Sequence, residues 1–93
     1  MKNYSQDFFE SAGFEVVQTG GGCEAWEKLA PGLRILITDE SGSAIPVDND
    51  IITVGFYSDI PGFEVEPLLE CECTTPAAAL AAVEFNITRN FAK

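Results

Sequence analysis

Phe63-Glu64-Val65-Glu66-Pro67-Leu68-Leu69-Glu70-Cys71-Glu72-Cys73 decides the fold. Its odd positions carry Phe63, Val65, Leu69, Cys71 and Cys73, and its even positions carry Glu64, Glu66, Glu70 and Glu72. Side chains alternate across a strand, so this pattern predicts a half-buried strand with thiols inward and glutamates in water. Pro67 has no N–H for a ladder, which predicts an edge strand or one bent by a bulge. Directly downstream, Thr75-Pro76 opens a helix, threonine as the N-cap and proline at the first helical position. That helix is expected to run through the alanine-rich 77–82 to about residue 91. Leu80, Val83, Ile87 and Phe91 form its apolar stripe, and Arg89 and Lys93 lie near its C-terminal end.

Further strands lie upstream. Residues 51–57 place Ile52, Val54 and Phe56 on one face, and 33–38 place Leu33, Ile35 and Ile37 on one face. Residues 23–30, around Trp26, read as a strand, although Glu, Ala, Lys and Leu also favour a helix. Residues 14–19 make a first strand, joined to the next by Gly20-Gly21-Gly22. A helix over 3–12 is capped by Asn3 or Ser5 and ended by Gly13. Short connections favour antiparallel neighbours, and an amphipathic helix must cover a sheet face. The expectation is a single α+β domain over 1–93: a small antiparallel sheet of four to five strands, a C-terminal amphipathic helix packed on one face, and a short N-terminal helix. The helix stripe should meet Ile35, Ile37, Val54, Phe56, Val65 and Leu69, and Ile87→Ala should cost about 2–5 kcal/mol.

The 93 residues hold 5 Lys+Arg against 15 Asp+Glu, a formal net charge of −10, with 46% apolar residues and no histidine. Such a chain does not bind nucleic acid directly by neutralising phosphates. Without histidine it has no Ser-His-Asp or Cys-His centre and no His-ligated metal, so a non-enzymatic protein without a cofactor is expected. No apolar run is long enough to span a membrane. The opening Met1-Lys2-Asn3-Tyr4-Ser5 has no apolar signal core, which points to the cytoplasm and to reduced thiols.

The charge is one-sided. Between Arg34 and Arg89 there is no basic residue, yet ten acids lie there, and the rest of the chain balances five against five. On the 63–73 strand, carboxylates two residues apart stand about 6.5–7 Å from one another. Such a row can be a solvated face that blunts an edge against aggregation. It can also be a surface shaped for a basic protein partner, imitating a phosphate backbone and steered in by long-range attraction. Glu64, Glu66, Glu70 and Glu72 are the candidate partner-binding residues.

Other motifs carry less. A phosphate cradle at Gly20-Gly21-Gly22 needs a helix after it, and Glu24 and Glu27 would repel phosphate. Cys23 lacks a base to activate it, and its nearest charged neighbours are acidic. Cys71-x-Cys73 offers two ligands where zinc takes four, and both sulfurs share parity with core residues. The loop holding Asp39, Glu40, Ser41, Ser43, Asp48, Asn49 and Asp50 is rich in oxygen ligands but lacks EF-hand spacing. No metal site is expected.

Gly20-Gly21-Gly22-Cys23-Glu24-Ala25-Trp26, the LRILITD of 33–39 and Thr53-Val54-Gly55-Phe56-Tyr57-Ser58-Asp59 together resemble a family. They are similar to short uncharacterised proteins of tailed bacteriophages and mobile elements that share a GGGC-x-A, ITD, VGxY pattern. The resemblance spans roughly 15–60 and implies a phage-borne accessory protein in the host cytoplasm, with no catalytic residues to carry over. The expected function is thus a small acidic accessory protein binding a basic partner. The rival is a self-associating structural or assembly component of a phage particle, a homo-oligomer with Phe9, Phe85 and Trp26 at its contact.

Overall fold

The computed structural model describes residues 4–30, 32–46, 51–60 and 66–88. Each alternating stretch of sequence there becomes a strand, and each strand lies beside its chain neighbour. β1 (Glu15–Gly20), β2 (Cys23–Ala30), β3 (Leu33–Asp39), β4 (Ile52–Ser58) and β5 (Leu69–Cys73) make one five-stranded antiparallel meander in chain order. The helix α1 (Tyr4–Ser11) precedes it and α2 (Pro76–Asn86) follows it. The fold is a small α+β domain.

The competition over 23–30 goes to the strand. Trp26 pairs with Val16 on one side and Ile37 on the other, and the ladders on both flanks outweigh the helix-favouring composition. The register aligns Val16, Trp26, Ile37, Val54 and Cys71 in one row, and Lys28, Ile35, Phe56 and Leu69 in the next. Ile35, Ile37, Val54 and Phe56 have no accessible surface. They form the core with Phe9, Phe14, Trp26, Ile52, Ala79 and Val83, so both helices pack on this face.

The end of α1 shows how a local signal sets tertiary geometry. Gly13 adopts φ 95°, a left-handed value that a side chain resists. Its N–H donates to Glu10 O and the Phe14 N–H donates to Phe9 O, both at 3.1 Å, a Schellman closure. The closure brings the Phe14 ring edge-on to Phe9, with centroids 6.0 Å apart, and Phe9 in turn lies 5.9 Å from Trp26. Lys28 adds a tether: its Nζ donates to Ala12 O at 3.0 Å and stands over the Phe14 ring.

Thr75 caps α2 as expected, its hydroxyl accepting from the Ala78 N–H at 3.1 Å, with Pro76 in the first turn. The buried face differs from the expected stripe. Ala79, Val83 and Asn86 are its buried residues, whereas Leu80 and Ile87 pack half-buried at its margins. Asn86 is accommodated because its Nδ2 donates to Ala82 O at 2.8 Å. The α-helix runs to Asn86 and continues as a wider π turn over 87–88, and Arg89, Phe91 and Lys93 lie outside the described residues.

Two further expectations are corrected. The 63–73 stretch is not one strand: β5 starts at Leu69, two residues past Pro67, and Pro67 and Leu68 are exposed. Proline offers no N–H and restricts the residue before it, so pairing begins only downstream. Phe63, Glu64 and Val65 lie outside the described residues. The contact proposed for self-association also fails as drawn. Phe9 is 0% and Trp26 4% accessible, both consumed by the core, and of that trio Phe85 alone is exposed, at 58%.

Candidate functional site

The same alternation that builds the core leaves a second face on which, among the described residues, no helix packs. One row across it runs Glu15, Glu27, Leu36, Gly55, Glu70. The neighbouring rows bring Thr38, Thr53 and Glu72 together on one side and Leu29, Arg34 and Tyr57 on the other. A hollow of about 350 Å³ opens here, floored by Ala25, Leu36 and Gly55 and walled by Tyr57, Glu70, Glu72 and the 40–42 turn.

Gly55 makes the hollow. A Cβ at this position would stand 2.8 Å from Tyr57 Cε1, so the Tyr57 ring lies along the strand over the bare glycine. Burial pushes the Tyr57 phenol above its ordinary value, the Glu70 carboxylate adds to that, and the Arg34 guanidinium opposes it. Arg34 is itself engaged, since its Nε donates to Glu27 Oε2. Glu70 and Glu72 are exposed, and among the described residues neither has a cationic partner. Thr53 Oγ1, also at the hollow, is buried without a hydrogen-bond partner.

The third wall is a self-contained turn. Asp39 N–H donates to Ala44 O at 2.8 Å, and Ser41 Oγ donates to Asp39 Oδ1 at 2.7 Å. The Gly42 N–H donates to the same carboxylate oxygen at 3.1 Å. The Ser41 hydroxyl holds the Asp39 carboxyl below its ordinary range; burial opposes it, and backbone N–H groups add to the lowering. The turn is pinned over the sheet because the Glu24 N–H donates to Ser43 O at 3.0 Å. Asp39 therefore spends its oxygens on the turn, and Glu40 is the acid the turn offers to the hollow.

Of the four candidate glutamates, the structure brings Glu70 and Glu72 together on the open face. Glu66 is exposed but lies before β5 and does not line the hollow, and Glu64 lies outside the described residues. The residues not anticipated are Tyr57, Gly55, Thr53 and Glu40. A signal for them existed in the sequence: a glycine between Thr53 and Tyr57 on the polar parity of β4 marks a place of close approach.

The remaining motifs take structural positions. The Gly20-Gly21-Gly22 turn leads into β2, a strand, so no helix N-terminus faces it. Cys23 is half-buried at the start of β2. Among the described residues no three His, Cys, Asp or Glu side chains converge to hold a metal ion, and Asp48 to Asp50 lie outside them. Among the described residues, too, no helix is long and apolar enough to cross a membrane. No protein-family model matches the chain, and comparison with curated proteins and with solved structures returns no significant match.

Proposed function

We propose that this chain is a non-enzymatic accessory protein that docks a basic protein partner on its open sheet face, a partner lysine or arginine entering the hollow beside Glu70 and Glu72. The observation that carries this reading is a pair of carboxylates that, among the described residues, have no counter-charge and flank a hollow that no helix covers. Two exposed anions on one edge repel each other and add nothing to folding, but they attract a cation over about a Debye length of 8–10 Å. The phenol of Tyr57 supplies a polar contact at the wall of the hollow. With a net charge of −10 the chain repels nucleic acid and anionic lipid alike. The phage-like pattern in 20–59 fits an accessory role in the host cytoplasm.

Calorimetry with a lysine-rich peptide, at low and high salt, tests the reading. Binding is expected at low salt and should weaken as salt rises. Glu70→Lys and Glu72→Lys should each reduce affinity about tenfold, while Glu84→Lys on α2, the same change in charge, leaves it unaltered. Equal weakening by all three substitutions would reduce the face to a solvated surface and overturn the reading.

A further inference from the structure

We propose that Cys71 and Cys73 form a two-thiolate site for a soft monovalent cation, Cu(I) being the physiological member of that class. The site is on the opposite face of β5 from Glu70 and Glu72 and is independent of partner docking.

The placement follows from the register. Cys71 pairs with Val54 and Cys73 with Ile52, so both side chains leave β5 on its core side. Residues two apart on a strand are about 6.5–7 Å apart along the backbone and point the same way. Cys71 and Cys73 thus occupy successive positions on one side of β5, where burial raises both thiol pKa values and each thiol also acts on the other. Both are half-buried, packed against the core on one side and reachable from solvent on the other, because β5 is the last strand of the sheet.

The surroundings select the metal. Ile52, Val54 and Leu69 are the neighbours in register, and the β5 glutamates face away. Cys23 belongs to β2, three strands off, or about 14 Å at the usual strand spacing. Among the described residues no third metal-ligating side chain joins the pair. Zinc closes a four-ligand shell, and calcium and magnesium want oxygen, so two sulfurs in an apolar wall suit none of them. Thiolates select Cu(I), which is content with two collinear ligands. Two side chains that leave the same side of one strand two residues apart can both turn toward a single metal ion. On binding, each sulfur exchanges its proton for a bond to the metal: one Cu(I) and two thiols give one bis-thiolate cuprous centre and two protons, with no change of oxidation state.

The test is an anaerobic titration of the fully reduced chain with Cu(I), in competition with a chromophoric cuprous chelator. One equivalent per chain should transfer to the protein, and X-ray absorption should show two sulfur neighbours. Cys71→Ser and Cys73→Ser should each weaken binding by at least about 100-fold, since loss of a ligand exceeds the effect of losing an outer-shell partner. Cys23→Ser should bind like the parent. Cys71→Ala/Cys73→Ala, which keeps the wall apolar, should retain the parent circular dichroism and bind no copper. The proposal is overturned if the parent leaves all Cu(I) with the chelator, if Cys23→Ser loses as much affinity as the other two, or if Zn(II) displaces Cu(I) from the pair.

Discussion

The two faces of the sheet are made by the same five strands yet obey different physics. On the helix-covered face, Ile35, Ile37, Val54 and Phe56 are wholly inaccessible and held by shape. On the open face, Gly55, Thr53, Tyr57, Glu70 and Glu72 border a hollow and are governed by charge and polarity. The switch between regimes takes one residue: along β5 the side chains run Leu69, Glu70, Cys71, Glu72, Cys73, alternately toward the core and away from it. The lesson is that stability resides on one parity and the candidate interaction on the other, so the two should respond separately to substitution.

The largest separation should come from Phe56→Ala, which empties the centre of the covered face. A loss of about 3–5 kcal/mol is expected, read as a lower urea midpoint. Its neighbour on the other parity, Gly55→Ala, should cost about 1–3 kcal/mol, because the new methyl displaces the Tyr57 ring. The same variant should lower the Tyr57 pKa as the ring moves into water, which a spectrophotometric titration follows. A Gly55→Ala loss as large as that of Phe56→Ala would break the contrast between the faces. Thr75→Ala removes the hydroxyl that caps α2, the lid of the covered face, and should cost about 1 kcal/mol in thermal or urea unfolding. Glu70→Lys should change stability by less than about 0.5 kcal/mol while weakening the lysine-rich peptide, which sharpens the separation most directly.

The smallest effect is in acid. Asp39 has a lowered carboxyl pKa in the folded chain, so its turn contributes stability above the ordinary carboxylate range and loses it as pH falls through the folded value. Asp39→Asn should therefore flatten part of the acid limb of a urea-midpoint profile, from the ordinary carboxylate range downward. It should lower the neutral-to-alkaline plateau without changing its slope, and converge with the parent in acid.

The sequence made the strands legible wherever apolar and polar residues alternate, because period two maps directly onto burial. The end of α1 was equally plain, since Gly13 followed by Phe14 encodes its closure in four residues. The face of α2 was not. Alanine at 77, 78, 79, 81 and 82 gives the helix little contrast around its circumference. Packing then chose Ala79, Val83 and Asn86 over the bulkier Leu80 and Ile87. Glu70 and Glu72 were readable from the alternation, but Glu66 was grouped with them because parity alone does not register that Pro67 stops the ladder. The hollow required pairing β4 with β5 and laying a ring over a glycine, relations between positions far apart in the chain.

The meander order carries a consequence for how the chain matures. Every strand hydrogen-bonds to the one translated just before it, so the sheet can zip up hairpin by hairpin as it leaves the ribosome, at a low entropic cost of loop closure. α2 is made after all five strands, so the part of the sheet that it covers stays open until it forms. Until then Ile35, Val54 and Phe56 face water. A chain whose strands pair before α2 forms would present one apolar and one anionic sheet face, and repulsion between the anionic faces would oppose association.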